Sequence, residues 1–217
     1  MEHLTTPDIL AAGLGDWSKL AQGLHARFEI PDFPAGAAFV TAVADAAEKA
    51  EHHPDLTLRY GAVDVVLATH EEGMLVTSKD IDLARTISSV AREHDLTPTP
   101  GAVVQVELGL DAALADRIAP FWSAVLTGGP DNIVGNTVID PAGLAPNVWF
   151  QAADEHEEPR QRWHLDVWVA PEVADARIAA ALSAGGVVVD DAEAPSFTVL
   201  ADPDGNKACI CTLLERG

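Results

Sequence analysis

The sequence has little cysteine and little basic charge, and both shortages narrow the kind of protein it encodes. Its two cysteines, Cys209 and Cys211, are one residue apart in a chain of 217. On a strand such residues share a face, and a disulfide between them would be strained. We therefore expect reduced thiols in a cytoplasmic protein. Buried strand cysteines are favoured over a C-x-C metal or redox motif, because no partner residues are evident nearby.

Basic residues number 13 against 34 acidic ones, which gives a net charge of −21. Because phosphate groups are bound by basic surfaces, we expect neither nucleic acid nor an anionic membrane as a partner. No apolar run approaches the ~18 residues of a membrane span, and no signal peptide is visible. The hydrophobic fraction of 48% is that of an ordinary globular protein. The length indicates one large domain or two small ones.

The most informative stretch is 48–55, which predicts a helix end that carries two adjacent histidines and two carboxylates. Pro54 restricts its predecessor to extended geometry, so the helix should stop at or just before His53. Glu48 and His52 are four residues apart and are therefore predicted to be neighbours on one helix face. Upstream, apolar residues recur at helical spacing: Phe39, Val43, Ala46, Ala47 and Ala50.

The first half of the chain predicts an α+β sandwich, with strands that carry two helices against one face. The periodicities give a strand over 24–30, a helix over 34–52, and strands over 56–60 and 63–70. A second helix opens at Thr77, which forms a capping-box pattern with Asp80. The inner face of this helix is predicted to hold four apolar residues: Ile81, Ala84, Ile87 and Ala91.

Residues 94–101 break every period, with two prolines and a glycine in four positions. Such a stretch is typical of an interdomain linker. We therefore predict two domains, over 1–97 and 102–217.

The second half contains an internal repeat. Alternating strands at 104–108 and 163–167 lie 59 positions apart. Each is followed by a helical run that ends at glycine, an Asp-Pro-x-Gly turn and a closing apolar strand. These are, in the first and second half, the helices 112–126 and 172–184, the turns 140–143 and 202–205, and the strands 147–151 and 206–212. The repeat predicts two βαβββ halves in one curved sheet around a cleft.

Seven residues at fixed spacing carry a resemblance to a known family. They are Glu48, His52, His53, Pro54, Tyr60, His70 and Asp80. With Trp17 and the run from Phe28 to Phe33, they resemble the signature of pterin-4a-carbinolamine dehydratases over about residues 1–95. The resemblance implies an antiparallel sheet with two helices on one face. It also implies a pterin as substrate: 4a-hydroxytetrahydropterin loses water and gives the quinonoid dihydropterin, with no cofactor.

The resemblance assigns the catalytic residues to His52, His53 and His70. His52 and His70 would be the acid/base pair that flanks the 4a carbon, and His53 would position the ring. Histidine suits this chemistry because it titrates nearest neutral pH and can act as acid or base. The sequence leaves open which histidine is the acid.

Carboxylates are assigned to substrate binding by the same resemblance. Glu48 and Glu51 would orient histidines or accept ring N–H groups, and Asp80 would lie at the pocket edge, where it could bond a histidine. A zinc site on the three histidines is disfavoured, since adjacent histidines rarely point at one ion. A catalytically silent dimerisation or partner-binding module is the main alternative, and homo-oligomerisation is left open.

The closing run Ala201-Asp202-Pro203-Asp204-Gly205-Asn206 and the repeat resemble the glyoxalase/bleomycin-resistance, or vicinal oxygen chelate, superfamily over about 102–214. Metal ligands in that superfamily come from the first and last strands of each half. The matching positions here are Gln105, Phe150 or Gln151, His164 and Cys209. Only His164 fits well, so we expect no metal site and interpret His164 as a cleft or core residue.

Small-molecule binding or a lyase activity in this second domain is a further alternative. Four tryptophans are candidate cleft walls, although at least two should fill the core: Trp122, Trp149, Trp163 and Trp168.

Overall fold

A computed structural model describes residues 3–69, 74–127, 129–143, 145–154, 163–183, 186–201 and 207–215. The chain divides into two compact units. The first unit comprises Met1–Val104 with Val169–Val173 and Leu213–Gly217, and the second comprises Gln105–Trp168 and Ala174–Thr212. Within the described residues, no helix has the length and apolar character that crossing a membrane would require.

The first unit is built on an antiparallel sheet. Its elements are α1 (Thr6–Ala11), β1 (Ser18–Lys19), β2 (Leu24–Glu29), α2 (Phe33–Ala50), β3 (Asp55–Arg59), β4 (Ala62–Leu67), α3 (Ser78–Glu93) and β5 (Thr97–Pro98). The strand order is β1-β2-β4-β3, and β5 pairs with β2. Every pairing is antiparallel.

The core of this unit lies between the sheet and the helices α2 and α3. Alternate residues of β2 are buried, as its period of two requires, and Phe28 packs edge-on against Phe39 of α2 at 5.3 Å between ring centroids. Most residues of the helix faces predicted to be apolar are buried in the same cluster: Phe39, Val43 and Ala47 of α2, and Ile81, Ala84, Ile87 and Ala91 of α3. Ala46 is partly buried against the cluster, whereas Ala50, at the end of α2, is exposed. The predicted α+β class is confirmed.

Part of the stretch predicted as a linker belongs to this sheet. Thr97 and Pro98 form β5 and pair with Glu29 and Phe28, and the Thr99 N–H donates to the carbonyl of Arg27. A proline is tolerated here because β5 lies at a sheet edge. The third strand is also shorter than predicted, since β4 ends at Leu67.

The strands and helices between positions 104 and 211 form the predicted pair of βαβββ halves. The first half is β6 (Val104–Ala112), α4 (Ala115–Thr127), β7 (Ile133–Val134), β8 (Thr137–Val138) and β9 (Val148–Ala152). The second half is β10 (Trp163–Val169), α5 (Pro171–Ser183), β11 (Val187–Asp190), β12 (Phe197–Ala201) and β13 (Lys207–Cys211). They form one sheet in the order β11-β12-β13-β10-β6-β9-β8-β7, so the first strands of the two halves are neighbours at its centre.

The two faces of this sheet differ in chemistry. One face packs a core cluster that includes Leu110, Val148 and Phe150, with Trp122 and Trp163 against it. Those two tryptophans are partly buried and meet edge-on at 4.8 Å between ring centroids. The opposite face, here called the polar face, carries Glu107, Gly109 and Asp111 of β6, and His164, Asp166 and Trp168 of β10. Of the predicted turns, 202–205 lies outside the described residues.

Candidate functional site

The end of α2 sends its two histidines in different directions. The helix stops at Ala50, and Glu51 adopts a left-handed conformation with φ of 48°. The N–H of His52 then donates to the carbonyl of Ala47 at 3.2 Å, which closes the helix end. As a result His52 is buried and His53 is exposed.

The prediction that Glu48 and His52 are neighbours on one helix face is wrong, because His52 lies beyond the end of α2. Glu48 Oε2 lies 3.2 Å from Nε2 of His53, and both side chains are largely in solvent. The spacing argument requires residues 48–52 to be continuously helical, but the helix ends at Ala50. An exposed pair of this kind contributes little to stability.

His52 is paired with a buried carboxylate instead. Its Nε2 lies 2.7 Å from Oδ1 of Asp80, whose side chain is completely buried in the first turn of α3. Residues 28 positions apart in the chain are thus joined across the core, where a hydrogen bond to a charged group is stronger than in water.

Asp80 is held by two threonines, Thr69 and Thr77. Its Oδ2 accepts from Thr69 Oγ1 at 2.8 Å, from the Thr77 N–H at 2.7 Å and from Thr77 Oγ1 at 3.1 Å. The Thr77–Asp80 capping box is therefore confirmed, and it also fixes the carboxylate for His52. Sequence reasoning missed the part that Thr69 and Thr77 play here. The available signals were the cap position of Thr77 and the place of Thr69 at the end of a strand.

The other predicted site residues do not all join this pair in the described part of the chain. His70 lies outside the described residues. Glu51 is exposed, and Tyr60 is fully exposed at the turn after β3. The described residues therefore bring together His52 with Asp80, and separately His53 with Glu48.

A second histidine–carboxylate group lies on the polar face of the second sheet. His164 Nδ1 is 3.2 Å from Oδ1 of Asp166, and Asp166 Oδ2 accepts from the indole N–H of Trp149 at 2.9 Å. On the other side of the ring, Nε2 lies 3.9 Å from Oδ1 of Asp111. The hydrogen bond to Asp166 raises the pKa of His164, burial opposes this, and the charge of Asp111 adds to the rise.

The four superfamily ligand positions do not fit a metal centre. Phe150 is buried in the core, on the face of the sheet that is opposite to the polar face, and Gln151 is exposed. Cys209 is buried on β13 in register with Asp166, so the prediction of buried strand cysteines is confirmed. Of the four positions only His164 and Cys209 offer typical transition-metal ligand types.

Comparison with known proteins matches two parts of the chain to two different families. The family model for pterin 4 alpha carbinolamine dehydratase matches residues 2–90, and the one for a glyoxalase-like domain matches residues 107–211. Two relatives carry the name "Putative pterin-4-alpha-carbinolamine dehydratase". That of Thermosynechococcus vestitus is 44% identical over 92 residues, which are 42% of this chain and 96% of the relative. That of Nocardia farcinica is 44% identical over 79 residues, which are 36% and 82%.

Among solved structures, a chain titled transcriptional coactivator/pterin dehydratase from Brucella melitensis is 35% identical. The match covers 42% of this chain and 99% of that one, with a TM-score of 0.39. On the sequence matches, this chain belongs to the pterin-4-alpha-carbinolamine dehydratase family through its N-terminal part. Its C-terminal part is a glyoxalase-like domain.

Proposed function

We propose that the first unit dehydrates 4a-hydroxytetrahydropterin to the quinonoid dihydropterin by histidine acid/base catalysis. The observation that carries the proposal is the buried His52–Asp80 pair, 2.7 Å apart, with Asp80 fixed by three further donors. The names of the relatives supply the substrate class.

The reaction needs two proton movements and no change of oxidation state. The C4a–O bond breaks as the hydroxyl takes up a proton and leaves as water. The ring N5 gives up its proton, and its electron pair forms the C4a–N5 double bond. A side chain that accepts and donates protons near neutral pH meets both needs.

The hydrogen bond to Asp80 decides which nitrogen of His52 is available to the substrate. If Nε2–H donates to the carboxylate, Nδ1 holds the lone pair and can take a proton from the substrate. Asp80 then acts as a positioning residue through His52, rather than as a pocket-edge contact to the pterin. His70 is proposed as the second member of the acid/base pair.

The exposed pair at the end of α2 suits a binding role. His53, with Glu48 at 3.2 Å, would contact the pterin ring, and Glu51 would accept ring N–H groups. Carboxylates are acceptors only, which matches the N–H groups of a pterin edge. A homo-oligomer of the whole chain is proposed as its assembly, as the family resemblance suggests.

The experiment is an assay of the full chain against 4a-hydroxytetrahydropterin. A positioned acid or base contributes about 10²–10⁴-fold, so His52→Ala and His70→Ala should each lower the rate by about that factor. His3→Ala is the matched control, because His3 is exposed near the N-terminus. Wild-type rates in both site variants, with folding retained, would show that the catalytic residues are misassigned.

A further inference from the structure

The buried carboxylate of Asp80 uses its two oxygens differently. Oδ1 lies 2.7 Å from Nε2 of His52, whereas Oδ2 accepts the hydrogen bonds from Thr69 and Thr77. The two oxygens belong to one rigid, planar group. Whatever holds Oδ2 therefore also sets the position of Oδ1, and through Oδ1 the orientation of the His52 ring.

The donors to Oδ2 come from two different segments. The N–H and Oγ1 of Thr77 lie 2.7 and 3.1 Å from Oδ2, and Thr77 is the cap of the same helix, three residues before Asp80. These two bonds fix the carboxylate relative to the first turn of α3. Thr69 lies two residues beyond the end of β4, and its Oγ1 is 2.8 Å from Oδ2. Of the three bonds, that from Thr69 is the one that connects the carboxylate to the sheet side of the core.

Thr69 is itself held in place by its backbone. Its N–H donates to the carbonyl of Leu75 at 2.8 Å, and the two residues form an isolated antiparallel bridge. Thr69 is 8% exposed, and Thr77 and Asp80 are completely buried. In such a place little water competes for the carboxylate, and a hydrogen bond to a charged acceptor is strong. Thr69 is therefore a fixed donor for Asp80.

The hydroxyl hydrogens show which of the two threonines acts directly. Oγ1 of Thr69, Oγ1 of Thr77 and Oδ2 of Asp80 form a triangle: Thr69 is 2.8 Å from Asp80 and 2.9 Å from Thr77, and Thr77 is 3.1 Å from Asp80. Two hydroxyls supply two hydrogens for these three contacts, and a carboxylate supplies none. The two shorter contacts are both used when Thr77 donates to Thr69 and Thr69 donates to Asp80. The hydroxyl of Thr77 then acts through that of Thr69.

We propose that Thr69 is a positioning residue for the dehydration reaction. Its hydroxyl donates to Oδ2 of Asp80, so that Oδ1 accepts the Nε2–H of His52 and Nδ1 of that ring is left for the substrate. Thr69 exchanges no proton with the pterin and acts through Asp80 and His52. This role rests on the dehydration proposed for the first unit, and it predicts an effect on turnover rather than on substrate binding.

The kinetic test compares Thr69→Val, which keeps the shape of the side chain and removes the hydroxyl, with Thr69→Ser, which keeps the hydroxyl. In the full chain Thr69→Val should lower kcat by about tenfold with KM unchanged, because a slightly displaced catalytic group costs rate in the transition state. Thr69→Ser should restore most of the rate. Thr86→Val is the matched control, since it removes an exposed hydroxyl of α3 that donates to the carbonyl of Asp82. It should leave kcat and KM unchanged.

A second readout needs no substrate. Nitrogen-15 NMR of the histidine rings distinguishes protonation on Nε2 from protonation on Nδ1, and the His52 signals are assigned by their loss in His52→Ala. We expect the Nε2–H tautomer in the wild type and in Thr69→Ser, and a mixture of tautomers in Thr69→Val. A purely structural role of Thr69 would lower the melting temperature and leave the tautomer unchanged. An inactive wild type would contradict the proposed function, whereas the ring signals would still decide the role of Thr69.

The route through Asp80 is tested by combining two substitutions. In the Asp80→Asn background Thr69→Val should cause no further loss of rate, because the group that Thr69 holds is already changed. Four results would overturn the proposal: wild-type kcat in folded Thr69→Val, His52 ring signals that Thr69→Val leaves unchanged, a loss in Thr69→Ser as large as that in Thr69→Val, or a further loss in the Asp80→Asn background.

Discussion

The two units each contain a histidine held by an aspartate, but they leave opposite ring nitrogens available. In the first unit Asp80 binds Nε2 of His52 at 2.7 Å, which leaves Nδ1. In the second, Asp166 binds Nδ1 of His164 at 3.2 Å, which leaves Nε2 facing a further carboxylate, Asp111. The same two residue types thus hold the imidazole in opposite orientations. The difference lies in which ring nitrogen the aspartate holds.

The largest expected difference between the two pairs is in dehydratase activity. Asp80→Asn should lower the rate by about 10²-fold, because the amide no longer favours the tautomer and orientation of His52 that the reaction needs. Asp166→Asn makes the same change in the second unit and should leave the rate unchanged. Steady-state assays of the two variants measure this contrast. Equal losses in both would mean that the pairs are not functionally separate.

A third histidine, His25, is hydrogen-bonded to a backbone carbonyl and not to an aspartate. His25 binds the carbonyl of Gln22 at 2.7 Å, and burial lowers its pKa to about 4. The unfolded chain, with a histidine pKa near 6.5, then binds more protons than the folded one between these values. Stability from this group is therefore present above about pH 6.5 and is lost as pH falls toward 4. The loss amounts to at most about 3 kcal/mol.

Urea unfolding of the wild type and His25→Gln between pH 7 and pH 4 checks this. The variant should lose less stability over that range, because its side chain does not titrate. Parallel curves for the two proteins would contradict the assignment of the pH dependence to His25.

The local pattern of the sequence predicted β2, β3 and β4, the helices α2 and α3, the paired βαβββ halves and the Thr77–Asp80 cap, because periodicity and capping depend on neighbouring residues. It did not predict the two-residue strands β1 and β5, which are too short to show a period. It failed at Glu48 and His52, because the left-handed Glu51 ended the helix before His52. The local pattern also could not predict that Asp111 lies 3.9 Å from His164. Their meeting requires the adjacency of β6 and β10, which only the assembled sheet provides.

A smaller effect is expected from dividing the chain. We propose that residues 1–104 fold alone and dehydrate the pterin at a rate near that of the full chain, since the whole signature lies before residue 81. This end point keeps Thr97–Pro98 and the Thr99 hydrogen bond, which a fragment ending at 97 would disrupt. Circular dichroism and the same assay test the fragment. A folded but inactive fragment would show that the site needs residues beyond 104.

No effect at all is expected from metal removal on dehydration. Acid/base catalysis needs no Lewis acid. Dialysis against a chelator should therefore leave the rate unchanged. A loss of rate that Zn²⁺ restores would instead indicate a metal site on His52, His53 and His70.

The measurement that tests the central claim most directly is a double-mutant cycle on His52 and Asp80. If Asp80 acts only through His52, the rate of the double variant His52→Ala, Asp80→Asn should equal that of His52→Ala alone. Thermal unfolding of all four proteins confirms that each is folded. Additive losses, with the double variant slower than His52→Ala by the full Asp80→Asn factor, would contradict the account and give Asp80 a role of its own.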